Sequence, residues 1–137
     1  KATSLLANIM FAQEAKNHGV EEVILIRNGI VTECSSSNLF LVKNNCIYTH
    51  PKGPYILPGI TRKIIIDCAK YCDIKVKEVA FNKDSLMYAD EVWISSSTRE
   101  VVPITSIDDK PINNGKVGEV WPVIYDRYQE IKTLGFN

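Results

Sequence analysis

Three kinds of side chain in this sequence could share one piece of chemistry. Lys1 offers a primary amine able to condense with an aldehyde. Glu33, at what reads as a strand end, offers a carboxylate able to hold a proton on a ring nitrogen. Ser35-Ser36-Ser37-Asn38 follows almost at once, with short donors suited to a phosphate. An aldehyde, a basic ring nitrogen and a phosphate are the reactive and anchoring groups of pyridoxal phosphate, so the set points to that cofactor. Leu57-Pro58-Gly59-Ile60-Thr61 adds an anion-binding signal. It reads as a loop entering a helix behind a glycine, and a helix start presents unpaired N–H groups and the positive end of its dipole. Thr61 contributes a hydroxyl there. Ser97 lies in a second hydroxyl-rich loop, Ser95-Ser96-Ser97-Thr98.

These residues need elements to position them. Leu5, Leu6, Ile9, Met10 and Ala12 stand at helical spacing, which predicts a helix over residues 2–18 stopped by Gly19. Val23 to Ile26 and Ile30 to Thr32 flank Asn28-Gly29, a strong hairpin signal. A second hairpin joins Leu39–Val42 to Cys46–Tyr48 through Lys43-Asn44-Asn45. A helix is expected from Ile60 to Cys72, with Ile64, Ile65, Cys68, Ala69 and Cys72 on its apolar face. Arg62 reads as a helix-start cation rather than a ligand. A short strand over Val76–Ala80 and a short helix over Lys83–Tyr88 follow. Glu91–Ser95 and Val101–Ile107 read as strands, the second turned at Asp108-Asp109. The last helix runs from about Gly118 to Leu134 with Val120, Ile124, Tyr128 and Ile131 buried, and Pro122 fits only its first turn. Hairpins exclude a simple doubly wound sheet. The fold class is therefore mixed α/β (α+β), a mostly antiparallel mixed sheet with flanking helices.

At 137 residues the chain fits one domain with a real core. Its 16 basic and 16 acidic residues cancel, which gives no footprint for nucleic acid or a membrane surface. The apolar runs are too short to span a bilayer as a helix. Beginning on Lys1 without a methionine, the sequence is expected to be a segment of something longer. Cys34, Cys46, Cys68 and Cys72 contain no Cys-x-x-Cys spacing, and His18 and His50 stand apart. Reduced structural thiols, no metal site and a cytoplasmic location are the expectation.

Val31-Thr32-Glu33 with Ser35-Ser36-Ser37-Asn38, Tyr48-Thr49-His50-Pro51, Leu57-Pro58-Gly59-Ile60-Thr61-Arg62 and Gly115-Lys116-Val117-Gly118 resemble class IV pyridoxal-phosphate aminotransferases. The likeness runs through essentially the whole chain in order, and within the family it is strongest to the D-amino acid (D-alanine) enzymes. It implies the large C-terminal cofactor domain, residues 1–137, of the D-amino acid/branched-chain aminotransferase fold, with the smaller N-terminal domain absent, and a homodimer. Lys1 would be the lysine that holds the cofactor aldehyde and moves the substrate's α-proton. Glu33 would face the pyridine nitrogen, Ser36 and Ser37 would line the site, and Leu57 would pack on the ring. Gly59, Ile60 and Thr61 resemble the phosphate clamp, and Ser97 its second hydroxyl. The implied reaction is ping-pong amino transfer between a D-amino acid and a 2-oxo acid. Related alternatives are a branched-chain L-amino acid aminotransferase and an aminodeoxychorismate lyase. A different class of reading is a non-catalytic domain that holds an oligomer together. One position departs from the family pattern: Cys34 stands where the family usually has glycine, and a positive φ there would cost about 1 kcal/mol or more.

Overall fold

Ala2–Met10, whose spacing suggests a helix, forms strand β1. The computed structural model describes residues 2–10, 19–34, 37–53 and 59–135, so the rest of the expected helix lies outside the described residues. A short apolar run satisfies either period, and here pairing decides. β1 hydrogen-bonds to a neighbour on each side, β2 (Gly19–Arg27) along its whole length and, near Ala7–Ile9, a later strand. A single helix would have left both neighbours' ladders open.

Elsewhere the turn chemistry works locally. β2 returns as β3 (Ile30–Cys34) through Asn28 and Gly29 at φ 51° and 78°. β4 (Asn38–Lys43) returns as β5 (Cys46–Thr49) through Asn44 and Asn45 at φ 51° and 63°. Two left-handed residues twist a two-residue hairpin in the sense of its strands, and Asn and Gly tolerate that backbone. Helix α1 (Ile60–Tyr71) follows and crosses over to β6 (Val76–Glu78), which lies parallel to β5. β7 (Phe81–Asn82) leads into α2 (Lys83–Met87), started by Asn82 Oδ1 accepting from the Ser85 N–H at 2.9 Å. β8 (Glu91–Ser96) and β9 (Glu100–Ile107) pair as a hairpin. Asp108 and Asp109, at φ 49° and 62°, fold β9 back onto β10 (Lys110–Pro111). Helix α3 (Val120–Leu134) closes the described chain.

The strands make one sheet in the order β6-β5-β4-β8-β9-β1-β2-β3-β7, with β10 also on β9. β5–β6 is parallel and the other pairings among the described residues are antiparallel. β4 and β8 lie near its centre, buried on both faces. Leu39, Leu41, Val92 and Ile94 enter one apolar cluster, while Phe40, Val42 and Trp93 enter another under α1 and α3. Each strand thus alternates between two cores rather than between core and water.

A buried carboxylate fixes α3. Glu91, 6% exposed, accepts from the Val120 and Trp121 N–H groups at 2.8 and 2.9 Å and from Trp93 Nε1 at 3.0 Å. These amides belong to the first turn, which has no internal acceptor for them. Gly118 allows the approach, since a Cβ there would sit 2.2 Å from Glu91 Cγ and Cδ.

Candidate functional site

Register brings the site together. Asn38 at the head of β4 pairs with Ser95 at the end of β8, so the loop entering one strand lies beside the loop leaving the other. Asn38 also reaches α1: its Oδ1 accepts from the Gly59 N–H at 3.2 Å. The result is a cleft of about 410 Å³. Its walls are Glu33 and Cys34 from β3, Ser37 and Asn38, the α1 start Gly59-Ile60-Thr61, and Ser95-Ser96-Ser97.

Six residues singled out from sequence therefore meet in one place: Glu33, Ser37, Gly59, Ile60, Thr61 and Ser97. Lys1, Ser36 and Leu57 lie outside the described residues. Arg62, read as a helix-start cation rather than a ligand, lies in the first turn of α1 and is absent from the described lining of the cleft. It is 1% exposed, and its Nη2 donates to the His50 carbonyl at 2.8 Å and to Glu78 Oε1 at 2.7 Å. It ties α1 to the β5–β6 edge. Cys34 lies in extended β3 and is absent from the positive-φ positions, so it carries none of the strain that a glycine would relieve.

The electrostatics suit an anion at the α1 end. Among the described residues no side chain caps α1 at Gly59, and its first turn holds no acidic residue. The first amides of a helix have no internal acceptor and carry the positive end of the dipole. The Thr61 hydroxyl is hydrogen-bonded to Tyr128 of α3. Burial pushes the Tyr128 hydroxyl up, and the bond to Thr61 acts the other way. Burial, then the Glu22 carboxylate, pushes the Cys34 thiol far above its ordinary range, so it is a neutral wall of the cleft.

Ser95 is the residue that sequence reading passed over. It is 1% exposed, it lines the cleft, and its Oγ has no hydrogen-bond partner among the described residues. A buried hydroxyl without a partner costs about 1–3 kcal/mol, which a bound polar ligand would offset. The available signal was position, for Ser95 falls on the same side of β8 as the buried Trp93. The donor set of uncapped amides and hydroxyls fits a phosphate. Glu33, across the same cleft, fits a protonated ring nitrogen.

Comparison with known proteins follows the same line. The amino-transferase class IV family model matches residues 1–107. The D-alanine aminotransferase of Bacillus licheniformis is 46% identical over 118 residues, which is 86% of this chain and 42% of that one. The branched-chain amino acid aminotransferase of Escherichia coli superposes with a TM-score of 0.69 at 37% identity, covering 78% of this chain and 35% of that one. A putative branched-chain amino acid aminotransferase from Thermotoga maritima superposes at 0.79 with 30% identity, covering 91% of this chain and 45% of that one. The chain spans less than half the length of these relatives. With the family model matching most of its length, this chain belongs to the class IV aminotransferases.

Proposed function

We propose that the chain is the cofactor domain of a pyridoxal-phosphate-dependent aminotransferase that moves an amino group between a D-amino acid, such as D-alanine, and a 2-oxo acid. The observation that carries this reading is the convergence of Glu33, a helix start bearing Thr61 and two further hydroxyl-bearing segments on one cleft. Pyridoxal phosphate, when bound, supplies an electron-withdrawing ring that stabilises negative charge on the substrate's α-carbon. The chain's own residues do the rest. The amides of Ile60 and Thr61, with the Thr61 and Ser97 hydroxyls, bind the phosphate and fix the cofactor's position. The Glu33 carboxylate holds a proton on the ring nitrogen. Lys1 Nζ would hold the cofactor through its aldehyde and, as base then acid, would carry the proton from the substrate α-carbon to the cofactor. Ser36 and Ser37 line the site and Leu57 packs on the ring.

The D-amino acid reading is supported by the 46% identity to the Bacillus licheniformis enzyme. The likeness to branched-chain enzymes, at 30% and 37% identity, favours a second reading with L-amino acids. Homodimer formation and the N-terminal domain that completes the site belong to the same proposal. A cytoplasmic location is supported by free thiols at all four cysteines. The test is amino transfer to 2-oxoglutarate by the intact protein, with D-alanine and L-leucine as competing donors. Faster turnover of D-alanine supports the reading. Preference for L-leucine transfers the protein to the branched-chain class, and no transfer from either sinks both.

A further inference from the structure

The hydroxyls around the cleft differ in what they are already bonded to. Ser37 Oγ donates its proton to Glu22 Oε2 at 3.2 Å, and that buried carboxylate also pairs with Arg99 Nη2. Ser96 Oγ accepts from the Arg99 N–H at 3.1 Å and lies 3.4 Å from Thr98 Oγ1. The Thr61 hydroxyl is shared with Tyr128. Ser95 Oγ has no such commitment. It is buried, it lines the cleft, and it lacks a hydrogen-bond partner among the described residues.

Register shows where that hydroxyl stands. Ser95 and Asn38 are directly opposed on the β4–β8 ladder, and opposed residues project to the same face of a sheet. On that face Asn38 Oδ1 takes the Gly59 N–H at 3.2 Å, so the start of α1 lies over the Asn38–Ser95 pair. Phe40 and Trp93, the next pair on the same face, pack under α1 and α3. Ser95 is thereby set in the floor of the cleft, beneath a helix end whose first amides have no internal acceptor. Burying a hydroxyl without a bond costs stability, and an alanine in this position would avoid the cost. A ligand whose acceptor reaches the floor accounts for the serine.

We propose that Ser95 is a further cofactor-binding residue, whose Oγ–H donates to a phosphate oxygen at the foot of α1. This rests on the reading of the cleft as a pyridoxal-phosphate site. It adds a donor from the end of β8 to those of the helix start and the Ser97 hydroxyl, and it holds whatever charged groups also meet the phosphate. Because the hydroxyl finds its acceptor only when the anion is bound, it weakens the empty protein and strengthens the loaded one. Those two effects have opposite signs, and a merely structural serine would not show both.

The experiment titrates the intact protein, freed of cofactor, with pyridoxal phosphate and with pyridoxal, which lacks the phosphate. Melting temperature is read without ligand and with inorganic phosphate. The variants are Ser95→Ala and Ser95→Cys, the second close in size to serine but a weak donor. Wild type is expected to prefer pyridoxal phosphate strongly. Each variant lowers that preference by about tenfold, the size of one well-placed hydrogen bond to a charged group. Pyridoxal affinity barely changes, and inorganic phosphate protects less. Without ligand, the melting temperature of Ser95→Ala stays level or rises, since an unpaired buried hydroxyl has been removed. An unchanged preference would overturn the proposal, and so would equal weakening of both ligands. A fall in the melting temperature of both empty variants would give Ser95 a structural role and overturn it too. If Ser95→Ala does not fold, the same readings on Ser95→Cys decide the matter. A wild type that binds both ligands equally contradicts the assignment of the cleft itself, a separate failure.

Discussion

Glu33 is the residue on which the proposed chemistry turns, and its substitution separates binding from reaction. Glu33→Gln keeps the shape of the cleft but cannot hold a full proton charge on a ring nitrogen. Turnover is expected to fall on the order of 10²–10³-fold, as when one preorganised electrostatic group is removed, while cofactor affinity changes far less. Loss of affinity with turnover per bound cofactor intact would contradict the assignment. The buried thiols give a pH prediction. Burial, then the neighbouring Cys72, raises the Cys68 thiol from its ordinary value to about 11, and Cys34 is raised further. A folded-state pKa above the unfolded one favours folding while the thiol stays protonated. That contribution is whole below about pH 9 and is lost as pH climbs through about 11. Melting temperature against pH should therefore fall less steeply over that window in Cys68→Ala than in wild type. Parallel curves would show that Cys68 does not contribute.

At the scale of elements, what was legible in the sequence was what is local. The turns Asn28-Gly29, Asn44-Asn45 and Asp108-Asp109 need left-handed backbone, and their residue types announce it. α1 and α3 carry their apolar stripes openly, and both were expected within a few residues of where they lie. β1 reads as a helix in the sequence because Leu5, Leu6, Ile9 and Met10 satisfy a helical period, while the partners that make it a strand lie elsewhere in the chain. The cap on α3 was equally invisible, since Glu91 sits 29 residues before Val120. It yields a cycle. Glu91→Ala strips three donors of their acceptor and should cost about 3 kcal/mol in denaturant unfolding. Gly118→Ala drives a Cβ into that carboxylate and should cost a similar amount alone, yet little in the Glu91→Ala background. Additive costs would mean the two residues act independently.

At the scale of the whole molecule, the candidate site is a product of sheet order. Four segments, at residues 33–34, 37–38, 59–61 and 95–97, meet because β4 lies beside β8 and α1 starts against Asn38. The residue types were readable from the sequence because a phosphate and a ring nitrogen call for known donors. Ser95 and the Glu22–Arg99 pair were not, since burial and a partner 77 residues away are properties of the fold. On the proposed reading this cleft, with Lys1, holds pyridoxal phosphate. The most direct test is to add the cofactor to the intact protein, reduce with borohydride and map the modified peptide by mass spectrometry. A single pyridoxyl group is expected on the Lys1 side chain, formed stoichiometrically and suppressed by excess inorganic phosphate competing at the start of α1. Labelling scattered over surface lysines, or labelling at Lys1 indifferent to phosphate, would contradict it.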